Sequence, residues 1–189
     1  FMAALLVLAD RFVLPFELLE IGSSAGLNLL IDRYRYDLGG VSAGPEASPV
    51  LIRPEWRGTP PPCADVSIHS VRGVDIAPID VTDPVAAERL LAYVWVDTPH
   101  RTARVEAAIG MIADRPVTLI QGDAADWVAA RLAEPQTPGT CRVLMHSIVW
   151  QYLPPETQNR IRTAMDKAAA AATTDAPRVR LARPRSVGS

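Results

Sequence analysis

Residues 16–34, Phe16-Glu17-Leu18-Leu19-Glu20-Ile21-Gly22-Ser23-Ser24-Ala25-Gly26-Leu27-Asn28-Leu29-Leu30-Ile31-Asp32-Arg33-Tyr34, decide the fold. A short apolar run enters a turn that holds nothing larger than Ser, and a helix-like apolar segment leaves it. The order is strand, tight turn, helix. The glycines allow close approach to the backbone, and the first N–H groups of a helix have no intrahelical partner, so the loop suits an anionic or strongly polar group. The same glycines would equally serve a strand that merely folds back onto its own helix.

Three loop chemistries compete for this stretch. A dinucleotide fingerprint needs Gly at its first, third and sixth places, which here hold Gly22, Ser24 and Leu27. A hydrolase nucleophile elbow, Gly-x-Ser-x-Gly, is matched by Gly22-Ser23-Ser24-Ala25-Gly26 with Ser24 as nucleophile. The third resembles the first loop of class I S-adenosylmethionine-dependent methyltransferases, acidic-x-Gly-x-Gly-x-Gly, with Glu20, Gly22, Ser24 and Gly26 in place and Ser for the middle Gly.

Outward from the loop, 189 residues, 49% hydrophobic and 21% charged, are enough for one real core, so a single domain is expected. The formal net charge is −2 and the basic residues are scattered, which disfavours nucleic-acid and membrane partners and leaves a small-molecule substrate. Cys63 and Cys141 stand far apart without a Cys/His cluster, so neither a structural zinc nor a disulfide scaffold is expected, and a reducing, cytoplasmic setting fits. Met2 to Ala9 is cut short by Asp10-Arg11 and reads as an amphipathic helix leading into the first strand, not as a signal or a span.

Along the chain, the first helix is expected to run through Tyr34-Arg35-Tyr36-Asp37, a solvated face, and to close at Gly39-Gly40. Residues 39–64 are rich in Pro and Gly and read as an insertion or lid. Val66, Ile68 and Ser70 alternate with polar neighbours and lead to Gly73-Val74-Asp75, a second strand. Asp83-Pro84 and Thr98-Pro99 open two helices over one crossover, the first running up to Val94-Trp95. Pro116 to Ile120 is a third strand ending at Gln121-Gly122-Asp123, Ala124 to Leu132 a helix, Arg142 to Val149 a fourth strand with its exit, and Glu156 opens the longest helix. Strands alternating with helices call for an α/β, doubly wound, mainly parallel Rossmann-like sheet with ligands at the strands' carboxyl ends.

This order of motifs resembles the class I methyltransferases. More closely, Glu20 to Leu30 with Asp32 to Tyr36, then Arg72 to Asp75 with Pro78-Ile79-Asp80, Val94-Trp95 and Gly122-Asp123-Ala124, resembles a bacterial family known as domain of unknown function 2332. The resemblance implies a methyltransferase-type fold rather than a particular reaction. It also implies a longer parent chain, so the sequence reads as a fragment cut at both ends. On that view the fifth strand, Arg178 to Leu181, is an open edge, the helix bearing Ile161, Met165 and Ala168 is only partly covered, and the surface is prone to association.

Carried onto this sequence, the resemblance implies S-adenosylmethionine as cofactor, held by Glu20, Gly22, Ser24, Gly26, Asp75 and Asp123. Gly22, Ser24 and Gly26 would meet its methionine end, Asp75 its ribose hydroxyls and Asp123 its adenine amino group, with Asp80 a second ribose candidate. A carboxylate accepts two vicinal hydroxyls at once, whereas turn and cap carboxylates are the ordinary alternative. His146 ends strand four with Ser147, Trp150 and Tyr152 close in sequence, and is the candidate general base. The expected function is methyl transfer to a small-molecule acceptor. The alternatives are a serine hydrolase using Ser24, Asp123 and His146, and a non-catalytic methyltransferase-like binding domain.

Overall fold

The computed structural model describes residues 1–94, 99–114 and 116–182. Trp95, the Thr98 helix opening and the tail from Pro184 to Ser189 lie outside the described residues. The chain runs α1 (Met2–Phe12), β1 (Phe16–Ile21), a 3-10 helix (Leu27–Arg33), β2 (Arg35–Leu38), β3 (Val41–Ala43), β4 (Leu51–Ile52), β5 (Ile68–Asp75), α2 (Pro84–Ala92), α3 (Pro99–Asp114), β6 (Leu119–Gln121), α4 (Ala124–Ala133), β7 (Cys141–His146), a 3-10 turn (Val149–Tyr152), α5 (Pro155–Ala170) and β8 (Arg178–Ala182).

Five strands form a parallel sheet in the order β6-β5-β1-β7-β8, with β1 at its centre. Strands β1 and β7 are buried along their whole length and divide their side chains between two cores. Phe16, Leu18, Cys141, Val143 and Met145 face α1, the first 3-10 helix and α3, while Leu19, Ile21 and Leu144 face α4 and α5. Two-sided burial is what a parallel sheet with helices on both faces requires. The chain leaves β1 towards β5 on one side and returns through β7 on the other, so the topological switch point lies between β1 and β7, where such sheets bind ligands.

The first helix is not the one expected. It is a short 3-10 segment, and Tyr34 is already extended (φ −86°, ψ 146°). The Tyr34 hydroxyl donates to the Leu27 carbonyl and that of Tyr36 to Ile31, capping carbonyls that a longer helix would have used itself. Tyr34 and Tyr36 are therefore buried, not on a solvated face. Gly39-Gly40 closes a hairpin instead of a helix: both have positive φ, the Gly40 N–H donates to Asp37, and Leu38 pairs with Val41. The Pro/Gly-rich insertion thus carries structure of its own, the three-stranded sheet β3-β2-β4.

The face of α5 that carries Ile161, Met165 and Ala168 is covered, not partly open. Ile161, Met165 and Ala168 are 0, 8 and 5% exposed, packed with Trp127, Val128 and Leu132 of α4. Among the described residues β8 is the outermost strand on its side of the sheet. Cys63 is exposed and Cys141 buried, both as free thiols. No helix among the described residues is long and apolar enough to cross a membrane.

Candidate functional site

The carboxyl end of β1 enters a loop tied down by its own neighbours. The Gly22 and Ser23 amides both donate to the Val74 carbonyl, at 2.9 and 3.1 Å, and the Gly26 amide donates to Ser23 O at 2.7 Å. The Ser24 amide, on a residue with φ 52°, donates to Asp75 Oδ2 at 2.8 Å. Four amides of the turn are thus consumed internally, so it is not the open amide cradle that a phosphate would need.

The glycines are set by packing. A Cβ on Gly22 would collide with Val149, one on Gly73 with Ser23, and one on Gly26 would come within 2.6 Å of Val117 Cγ2. Gly22 and Gly26 also have φ of 67° and 76°. The loop is pressed between the exit of β7, strand β5 and the start of β6. Buried Ser23, whose hydroxyl donates to Glu20 O, is part of this clamp, and no motif pointed to it.

What the loop presents is acid. Glu20, at the end of β1, is fully buried; Oε1 accepts from Asn28 Nδ2 at 2.7 Å, and Oε2 has no partner among the described residues. Burial pushes its pKa up to about 7, the Asn28 hydrogen bond working against it and the nearby Asp75 carboxylate with it. Asp75 ends β5 and accepts one amide on each oxygen, from Ser24 and, at 2.9 Å, from Ala77. Each oxygen keeps acceptor capacity. Glu20 and Asp75 are thus brought together across adjacent strands, with Asn28 as a contributor that the spacing of the motif gave no reason to choose.

Among the described residues, the remaining candidates make no hydrogen bond with this pair. Asp80 is exposed and folded into its own turn, Oδ1 accepting from the Thr82 amide and hydroxyl, which holds its carboxyl below the ordinary value. It lines a cavity of about 320 Å³ with Ala25, Ile79, Val81, Ile112 and Leu119. Asp123 is the N-cap of α4, its Oδ1 taking the Ala125 and Asp126 amides, with Arg160 at 3.9 Å. That is the work of a cap carboxylate.

His146 is 3% exposed, on the α5 face of the sheet, stacked on Trp150. Burial first, then the Arg180 guanidinium, hold its pKa below the usual value, a Ser147 backbone group opposing them. Neither ring nitrogen makes a well-formed hydrogen bond, and none joins Ser24, His146 and Asp123. The relay that a Ser24 nucleophile would need is not formed.

The chain belongs to the family described as "uncharacterized protein conserved in bacteria (DUF2332)", whose model matches residues 1–187. No curated protein and no solved structure matches it.

Proposed function

We propose that this member of the family binds S-adenosylmethionine at the carboxyl ends of β1 and β5 and transfers its methyl group to a small-molecule acceptor, in a reducing cytoplasmic setting. The observation that carries the reading is Glu20 at the end of the central strand, a fully buried carboxyl with an oxygen that has no partner among the described residues, next to Asp75 at the end of β5. A buried polar atom without a partner is costly, about 1 to 3 kcal/mol, and a ligand cation that partnered it would recover that cost. Two carboxyls favour a cation with hydroxyls over a phosphate. S-adenosylmethionine carries an ammonium, a sulfonium and a vicinal diol, and when bound it supplies an electrophilic methyl group.

The chain's own residues divide the work. Glu20 receives the ammonium on its free oxygen. Asp75 receives the ribose hydroxyls on the acceptor capacity left by its two amides, and those amides hold the carboxylate in one orientation. Asp123, whose two cap bonds both fall on Oδ1, meets the adenine amino group with Oδ2, and Gly22, Ser24 and Gly26 bring the backbone to the methionine end. His146, kept neutral by burial and Arg180, is the base that removes a proton from an attacking oxygen or nitrogen.

Calorimetry with S-adenosylhomocysteine tests the reading. One-to-one binding is expected, with affinity lowered roughly ten- to a hundredfold in Glu20→Gln, the loss of a charged hydrogen bond. A well-folded wild-type chain that gives no saturable heat overturns it.

A further inference from the structure

Trp150 gathers three groups that cofactor binding leaves unused. The His146 ring stacks on it with centroids 4.8 Å apart and planes 20° from parallel. Arg162 of α5 and Arg180 of β8 each bring a guanidinium carbon over the same ring, at 5.2 and 5.1 Å. Arg180 pairs in register with Leu144, so it shares the face of the sheet that His146 occupies.

Among the described residues these two guanidiniums, both on exposed residues, share with Arg11 and Arg178 the lack of a carboxylate partner, while six other arginines have one. Arg53, Arg57, Arg72, Arg131, Arg142 and Arg160 all pair with carboxylates. Among the described residues Arg162 donates only to the neutral side-chain oxygens of Asn159 and Gln158, and Arg180 has no carboxylate partner. Packing against an aromatic face fixes a guanidinium without using its five N–H groups; Arg162 gives one from each terminal nitrogen to neutral oxygens and keeps the others for a carboxylate or phosphate. The buried His146 beside them has no well-formed hydrogen bond on either ring nitrogen among the described residues. Val149, at the start of the same turn as Trp150, packs on Gly22, so the cluster adjoins the glycine loop.

We propose that Arg162 and Arg180 anchor an anionic group, carboxylate or phosphate, on the methyl acceptor and turn its reacting atom towards His146. The role of acceptor rests on the methyl-transfer reading; the anion site does not. The carboxyl ends of β1 and β5 carry Glu20 and Asp75, so an anion is repelled there and drawn to the two arginines gathered beside the exit of β7.

The probes are sodium acetate, inorganic phosphate and, for ionic strength, sodium chloride. They are titrated into histidine-labelled protein while the His146 ring resonances are followed by NMR. A saturable shift with acetate or phosphate is expected, and the one binding more tightly names the anion. Arg162→Met with Arg180→Met should weaken it at least tenfold, and the corresponding Lys pair, which keeps the charge, should retain part of it. A response equal to that of chloride, or a double Met variant titrating like wild type, overturns the proposal. Calorimetry with S-adenosylhomocysteine on the same samples separates the two ideas. Cofactor binding without an anion response removes the anion site alone; an anion response without cofactor binding removes the methyl-transfer reading and leaves the site standing.

Discussion

Glu20 has a pKa of about 7 against an ordinary value of 4.5, so the folded chain holds a proton that the unfolded chain has lost. Stability linked to this group is fully present below pH 4.5 and is lost as pH rises through 7, about 3 kcal/mol in all. Glu20→Gln should therefore be more stable than wild type at pH 8 and similar to it at pH 4, read from urea unfolding at both values. The proposed cofactor binding would run the other way, because an ammonium prefers the ionised carboxylate. Affinity for S-adenosylhomocysteine should rise roughly tenfold from pH 6 to pH 8 in wild type and stay flat in Glu20→Gln. The paired carboxylates make the ribose assignment testable too. Asp75→Asn should lose roughly tenfold or more in affinity while Asp80→Asn loses little; the reverse order would move the ribose to the cavity beside Asp80.

At the scale of elements, the glycine loop separates what the sequence disclosed from what it hid. Strands β1 and β7 were legible because burial on both faces writes a nearly continuous apolar run, and α2 because Asp83-Pro84 is a cap followed by Pro. The short 3-10 helix was hidden: Leu27 to Ile31 has helical spacing, and the strand signal, the alternation Arg33-Tyr34-Arg35-Tyr36, follows without a break. The hydroxyl bonds that end the helix link residues seven and five apart and leave no local pattern. The glycine motif was visible, yet its cause was not, because Val149 and Val117 reach it from distant parts of the chain. Gly26→Val should consequently cost about 2 to 4 kcal/mol in unfolding free energy, from a side chain forced to positive φ and into Val117. Gly122→Ala, whose Cβ would meet only Val74 Cγ2 at 3.7 Å, should change stability by less than about 1 kcal/mol. Thermal melts of the two variants side by side check this; a Gly26→Val chain as stable as wild type would free the loop from the packing role.

The whole molecule places its candidate site and a buried ion pair at opposite ends of one sheet. At the carboxyl ends of β1 and β7 stand Glu20 and His146, buried and incompletely bonded. Towards the amino ends of the same strands, Glu17 and Arg142 pair in register and meet at 2.8 Å, 6 and 5% exposed. Glu17 also accepts the Thr137 amide, and Arg142 donates to the carbonyls of Arg131, Glu134 and Pro135, so both charges are well satisfied. Burial would raise the pKa of Glu17, but its bonds to Thr137 and Arg142 prevail and lower it. Its contribution to stability is therefore present above pH 4.5 and lost as pH falls through the lowered value. Breaking such a pair from one side strands a buried charge. Arg142→Met should cost about 3 to 5 kcal/mol, whereas Glu17→Leu with Arg142→Met, which removes both charges, should recover most of it. A double-mutant cycle in urea at pH 7 measures the coupling, with S-adenosylhomocysteine affinity followed in the folded double variant. Recovery of stability with affinity unchanged is expected, since neither side chain approaches Glu20 or Asp75. If the double variant is no more stable than Arg142→Met alone, the pair is not what joins β1 to β7 at this end, and the carbonyl bonds of Arg142 are.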